Sequence, residues 1–225
     1  MATNHYSNIG KDGIVKEGIF VRFPELIPAS QDNYWNSSKH KKLLIVGESN
    51  YFNDDVDSVF KDSEAWYRGE DTQHLIPEDK KGDVSNEIDY KTFNKICKSM
   101  TEVSGLDCRP IFKEAMFYNY FLRPATVREI RGKKNLTFKK DCTQLDREVA
   151  GTALCGIIEL DKPNIVIFVS RYAHSEFEKY IELQQYELST PVYSVNHPAH
   201  PASWHHRNGN GKQKFERLLK EYWIK

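Results

Sequence analysis

The stretch Lys42-Leu43-Leu44-Ile45-Val46-Gly47 decides the fold class of this chain. A continuous apolar run that begins after a charge and ends at a glycine is typical of a strand buried on both faces of a parallel sheet. The residues that follow, Glu48-Ser49-Asn50-Tyr51-Phe52, predict a turn-rich loop at the carboxyl end of this strand. In open α/β sheets, ligands bind at that end of the strands.

Further strands and helices alternate along the chain. The strands are expected at 115–122, 165–169 and 191–195, and helices with one apolar face at 91–103, 145–160, 172–184 and 212–223. A short strand is also expected over residues 18–23, ended by Pro24. This alternation predicts a three-layer α/β/α sandwich with a central, mainly parallel, four-stranded sheet.

The length of 225 residues predicts one domain with a small appendage. Residues 1–40 are polar, aromatic-rich and weakly periodic, and we interpret them as an N-terminal extension packed on the main domain, 41–225. Residues 53–89 are acidic and polar and predict a long surface loop with some helix.

The composition excludes several classes of protein. Lys plus Arg and Asp plus Glu are both 32, so a generally basic protein that coats nucleic acid is excluded, although a local basic groove is not. No run approaches the ~18 apolar residues of a membrane span. No secretory signal is visible, and we expect a cytoplasmic monomer.

The cysteines and histidines predict neither a cluster nor a metal site. The four cysteines are scattered with no close pair, which favours reduced thiols over disulfides or an all-cysteine site. Four histidines lie close together late in the chain: His197, His200, His205 and His206. Their spacing matches no zinc motif, and the prolines between them exclude a metal-binding helix.

Four segments together resemble the uracil-DNA glycosylase superfamily. They are GESNYF at 47–52, FYNYFLRP at 117–124, DKPNIVIFVS at 161–170 and VNHPAHPASW at 195–204. Each motif alone is weak, and their order and spacing across residues 41–204 carry the resemblance. The middle section is most similar to the branch of the superfamily that contains an iron–sulfur cluster. The resemblance implies a hydrolase that removes uracil or a related damaged base from DNA.

The resemblance also implies residue roles around a flipped base. His197 would stabilise the negative charge that develops on the departing base. The candidates for holding or activating the attacking water are Glu48, Ser49 and Asn50, with Asp54 as a further carboxylate. Gly47 would let the backbone approach the base, Tyr51 would wall the pocket, Asn119 would read the base edge, and Trp66 could supply a stacking face.

A second set of residues is expected to contact DNA. Trp204, with Ser203 beside it, could fill the space that the flipped base leaves, or Trp204 could instead be a buried anchor. The basic side chains Arg123, Arg128, Arg131, Lys133 and Lys134 could hold phosphates. A charge run of this kind is more often a solvated face.

The chain departs from the family pattern at three places. Ser49 stands where the most active branch has an aspartate, and Asn50 stands where the motif has proline. The cluster-containing branch has an early cysteine pair that this chain lacks, so we expect no iron–sulfur cluster although Cys142 and Cys155 lie near the later two positions. Three hypotheses follow: a DNA glycosylase, a catalytically inactive or altered nucleic-acid or nucleobase-binding protein of the same fold, and a hydrolase of another class in which the late histidines could bind a metal.

Overall fold

The computed structural model describes residues 5–51, 62–70, 91–109, 111–125, 127–130, 133–136, 138–205 and 211–225. The helices are α1 Ile19–Arg22, α2 Asp32–Asn36, α3 Ser63–Arg68, α4 Lys91–Ser104, α5 Ile111–Glu114, α6 Gln144–Asp161, α7 Arg171–Leu183, α8 Pro201–Trp204 and α9 Gly211–Leu218. A π-helical turn, Leu219–Trp223, follows α9, and two 3-10 turns lie at Pro24–Leu26 and Phe138–Lys140. The strands are β1 Leu43–Tyr51, β2 Met116–Ala125, β3 Val127–Ile130, β4 Lys133–Leu136, β5 Ile165–Phe168 and β6 Val192–Ser194.

The central sheet confirms the predicted fold class. Its four strands lie in the order β2-β1-β5-β6, and every neighbouring pair is parallel. The apolar run that begins β1 is fully buried because helices cover both faces of the sheet. Strands β3 and β4 form a separate antiparallel hairpin.

Two cores flank the sheet. Leu44 and Val46 of β1 belong to the first core, which contains apolar residues of α6 and α7. Leu43 and Ile45 point the other way, into a second core with apolar residues of α4 and α9. Alternate residues of one strand therefore fill both cores, as the period of an extended chain requires.

Residues 5–40 contribute side chains to the first core. Tyr6, Phe20 and Phe23 are among the buried aromatic residues of that core. The Tyr6 hydroxyl donates a 2.8 Å hydrogen bond to the carboxylate of Asp161, at the end of α6. The N-terminal segment thus shares a core with the sheet and its helices.

The predicted strand over residues 18–23 is wrong. The structure has helix α1 at Ile19–Arg22, preceded by Gly18 at a φ of 107°. The buried residues Ile19, Phe20 and Phe23 recur at i, i+1 and i+4, which is a helical rather than an alternating spacing. The β-branched and aromatic residues of this segment favour a strand by composition, but the spacing of its buried residues is helical.

Two strand ends also differ from the predictions. Strand β1 continues through Tyr51, so the loop expected at 48–52 is strand over most of its length. Strand β2 passes through Pro124 to Ala125, because its partner β1 extends with it. Of the long loop expected at 53–89, residues 52–61 and 71–90 lie outside the described residues, and α3 lies between them.

Helix ends follow local chemistry that is visible in the sequence. Thr143 and Asp146 form a capping box at the start of α6, and Lys162 ends that helix in a left-handed conformation. Ser170 caps α7 by accepting a hydrogen bond from the backbone N–H of Ala173. Among the described residues, no helix combines the length and the apolar character needed to cross a bilayer.

Candidate functional site

Gly47 and Asn119 lie opposite each other on the two parallel strands β1 and β2. A Cβ atom added to Gly47 would come within 2.3 Å of Asn119 Oδ1 and 2.9 Å of Phe117 Cζ. The side chain of Asn119 therefore lies across β1 at the position of Gly47. A residue with any side chain would displace this amide, which explains the need for glycine at the end of the buried run.

The amide of Asn119 is held by a second amide. Asn119 Nδ2 donates a 2.8 Å hydrogen bond to Asn50 Oδ1, and both residues are half-buried. Strict alternation would place Asn50 on the face opposite Gly47. The register of the β1–β2 ladder shifts between Ser49 and Tyr51, and such irregularities re-aim side chains. Gly47, Asn50 and Asn119 therefore form one group, which we call the amide pair on Gly47.

Glu48 and Ser49 are not part of this group. The carboxylate of Glu48 accepts a 2.7 Å hydrogen bond from the hydroxyl of Ser170, the N-cap of α7. The Ser49 hydroxyl is buried and has no hydrogen-bond partner among the described residues. Among the described residues of the first motif, Asn50 is the one whose side chain is hydrogen-bonded to the amide of Asn119.

His197 follows β6 and is held in one tautomer. The backbone N–H of Ala199 donates a 3.2 Å hydrogen bond to His197 Nδ1, so the ring proton of the neutral imidazole is on Nε2. Burial lowers the pKa of His197, and the charges of His200 and Lys95 lower it further. At neutral pH the side chain is therefore an uncharged hydrogen-bond donor through Nε2.

Helix α4 connects the His197 loop with the strand that carries Asn119. Lys95 Nζ donates a 2.7 Å hydrogen bond to the carbonyl oxygen of Pro198. Two residues earlier, the ring of Phe93 packs edge-on against Phe117, with centroids 5.0 Å apart. Sheet spacing puts the backbones of β2 and β6 about 14 Å apart. Because Val195 still donates to the carbonyl oxygen of Phe168 in β5, only the two residues beyond it can cross this gap, over up to ~7 Å.

Trp204 is a buried anchor rather than an exposed wedge. It is 1% exposed, and its ring lies 6.0 Å from that of Phe215. A Cβ atom on Gly211 would come within 2.9 Å of the indole. Ser203 is half-buried, and its carbonyl oxygen accepts a hydrogen bond from Asn196 Nδ2. The exposed part of this loop is instead residues 199–202.

Trp66 is not available as a stacking face for a base. Its ring stacks on Phe23 at a centroid distance of 4.3 Å and an interplanar angle of 8°. The ring of Tyr67 packs against it edge-on, and Trp66 is only 2% exposed. The sequence could not show that the N-terminal segment supplies the aromatic partner of this residue.

Arg123 is not available to a phosphate. Its guanidinium is 1% exposed and forms an ion pair with Asp146, which is fully buried. Arg123 Nε donates to Asp146 Oδ1 at 2.8 Å, and Tyr67 donates to the same oxygen at 3.0 Å. Arg123 therefore ties β2 to the capped end of α6.

Several predicted contacts lie outside the described side chains. The backbones of Tyr51, Arg128, Lys133 and Lys134 are strand, but the structure describes none of their side chains. Arg131 and Asp54 lie outside the described residues altogether. Within the part of the chain that the structure describes, no group of three or more His, Cys, Asp or Glu side chains is arranged to hold a metal ion. All four cysteines are free thiols.

Sequence reasoning missed two residues of the site. Ser170 follows a buried strand and precedes a helix, which is the pattern of an N-cap, but its bond to Glu48 joins residues far apart in the chain. Lys95 carries no sequence signal, because it is one of several lysines on the polar side of α4.

Comparisons with known proteins add no relative. A scan against models of known protein families finds no match to the chain, and a search of curated proteins also finds none. The resemblance to the uracil-DNA glycosylase superfamily therefore rests on the sequence motifs alone.

Proposed function

We propose that this protein is a DNA glycosylase that hydrolyses the N-glycosidic bond of uracil or a related damaged base in DNA. The observation that carries the proposal is the geometry of His197, whose Nδ1 accepts a hydrogen bond from the backbone N–H of Ala199 and whose Nε2–H has no acceptor among the described residues. Burial lowers the pKa of His197, which favours the neutral ring. A fixed neutral donor stabilises an oxyanion that develops on a departing base, and it does so without giving up its proton.

The amide pair on Gly47 supports the same reaction class. A primary amide donates and accepts at once, which suits a base edge that carries a carbonyl oxygen next to an N–H. In the proposed reaction, water adds to the sugar carbon as the N-glycosidic bond breaks, and the proton that the water loses ends on the departed base. The bonding electrons leave with the base, whose oxygen accepts the hydrogen bond from His197. The base enters the pocket by flipping out of the DNA, at a cost of a few kcal/mol.

The test is an excision assay on single- and double-stranded oligonucleotides that contain uracil or another deaminated base. We expect release of at least one such base by the wild-type protein. His197→Ala should lower the rate ~100-fold or more, the loss typical of removing an oxyanion donor. Circular dichroism and the urea unfolding midpoint would show that the variant is folded. Equal rates for the wild-type protein and His197→Ala would refute the proposal.

One observation favours a second function, binding of a flipped base without hydrolysis. The residue in the position of the water-activating aspartate is Ser49, whose buried hydroxyl has no partner among the described residues. The nearby carboxylate of Glu48 is bonded to Ser170. If the protein binds uracil-containing DNA more tightly than a matched thymine oligonucleotide but releases no base, the binding function is supported.

A further inference from the structure

The hydrogen bond between the two asparagines of the site has a consequence for base selection. Asn119 Nδ2 carries two hydrogens, and one of them is taken by Asn50 Oδ1 at 2.8 Å. On the other side, Asn119 Oδ1 lies over Gly47, where no side chain could fit beside it. The amide is therefore held by Asn50 on its Nδ2 side, and Oδ1 lies on the side of Gly47.

We infer that Asn50 is a positioning residue that selects the ring edge accepted by Asn119. The inference rests on the proposed function, because it takes Asn119 as the residue that contacts the base. With the amide held by Asn50, the second hydrogen of Nδ2 donates to a carbonyl oxygen and Oδ1 accepts from a ring N–H. Uracil and other oxo bases present that edge. Cytosine presents an amino group and an unprotonated ring nitrogen, so donor meets donor and acceptor meets acceptor.

Without Asn50, the amide of Asn119 could turn over and pair with the cytosine edge. An amide rotated by half a turn exchanges its donor and acceptor, and the two orientations have nearly the same shape. While Asn50 presents its oxygen, this second orientation is costly because Asn50 Oδ1 would face Asn119 Oδ1; a carboxylate in Asn50→Asp presents an oxygen in either orientation. Selectivity of this kind depends on a repulsion against the wrong base as well as on attraction to the right one.

Two substitutions of Asn50 separate the positioning role from mere packing. Asn50→Asp keeps an acceptor oxygen in place and cannot donate when ionised. Asn50→Leu keeps a side chain of similar size and has no acceptor. Gln184→Leu, at an exposed position beyond the end of α7, is the matched control for an amide-to-leucine change.

The first measurement is the excision rate from oligonucleotides that carry uracil or cytosine at one position. The ratio of the two rates should be retained in Asn50→Asp and in Gln184→Leu. It should fall about fivefold or more in Asn50→Leu, the change that one net hydrogen bond produces. A shift of Asn50→Asp toward cytosine would overturn the inference, because it would mean that Asn50 donates to Asn119. An unchanged ratio in Asn50→Leu would overturn it as well.

The second measurement does not require catalysis. The side-chain amide protons of Asn119 are observed by ¹⁵N NMR, assigned by their loss in Asn119→Asp, and titrated with free uracil and free cytosine. We expect uracil to shift these resonances at lower concentration than cytosine in the wild-type protein and in Asn50→Asp, and we expect this preference to fall in Asn50→Leu. If this pattern is seen with no excision of any base, the inference stands and the glycosylase proposal fails. If the wild-type protein does not discriminate between the two free bases, the inference fails.

Discussion

Gly47→Ala is the substitution that tests the geometry of the site most directly. The added methyl group would lie 2.3 Å from Asn119 Oδ1 and 2.9 Å from Phe117 Cζ, both well inside van der Waals contact. Overpacking of this kind costs ~1–3 kcal/mol. An alanine at a glycine position without a clash gains ~0.4–1 kcal/mol by restricting the unfolded chain. The clash is the larger effect, and we expect a net loss of ~1–2 kcal/mol in the free energy of unfolding.

A double-mutant cycle shows whether Asn119 is the cause of this loss. In an Asn119→Ala background the closer of the two contacts is absent, and only the end of the Phe117 ring remains within 3 Å of the new methyl group. The cost of Gly47→Ala should therefore fall, with a coupling of ~1 kcal/mol between the two positions. The assay is urea unfolding of the four proteins, followed by circular dichroism.

The control for this cycle is Gly13→Ala. Gly13 is exposed, and the nearest atom to a Cβ there is the carbonyl oxygen of Gly10 at 3.3 Å. A surface substitution of this kind changes stability by about 0.5 kcal/mol or less. If Gly47→Ala costs no more than the control, or costs the same with and without the Asn119 amide, the amide does not lie over Gly47 and the description of the site is wrong.

Three further outcomes follow from the described contacts. Arg123→Met should lower the free energy of unfolding by ~3–5 kcal/mol, because it leaves the Asp146 carboxylate buried without its cation. The folded fraction of this variant should bind DNA with the same salt dependence as the wild-type protein. A smaller dependence of the affinity on salt would mean that Arg123 contacts a phosphate. Because burial lowers the pKa of His197, the excision rate should hold as the pH falls through about 6.5 and decline only below it. Folding stability should fall as the pH drops from about 6.5 toward the lowered pKa of His197, since the unfolded chain binds the proton first. Unfolding midpoints at each pH separate the two effects, and a decline in rate that persists in His197→Gln would assign the titration to another group. Ser170→Ala should lower stability by ~1 kcal/mol through loss of the α7 cap, as measured by urea unfolding, and no loss would mean that the cap is not formed.

Local patterns were sufficient for most of the fold. The buried run at the start of β1, the amphipathic face of α4 and the capping box of α6 each depend on neighbours a few residues away. Such signals can be read from the sequence because the period of a strand or helix and the chemistry of a cap are local properties. The strand predicted over residues 18–23 was wrong because a short apolar stretch fits both the helical and the strand period when its partner in the core is unknown.

The candidate site was predictable only in part. Gly47, Asn119 and His197 were named because they match motifs of the superfamily that the chain resembles. The structure places Gly47 within β1, Asn119 within β2 and His197 after β6. Their roles depend on what they contact. The partner of Asn119 is Asn50, which a register shift turns toward it, and no pattern in a single strand predicts that shift.

Three of the predicted DNA- or base-contacting residues, Trp66, Trp204 and Arg123, are buried in the structure. A sequence shows that Trp66, Trp204 and Arg123 carry large side chains but not which neighbour covers them. Phe23 stacks on Trp66, Phe215 packs near Trp204, and Asp146 forms an ion pair with Arg123. None of the three side chains is therefore available to DNA. Local periodicity along the chain was enough to predict the parallel sheet and most of its helices, but not how far β1 and β2 extend. Which side chains of the site remain accessible follows only from the folded structure, because burial and hydrogen bonding depend on residues distant in the chain.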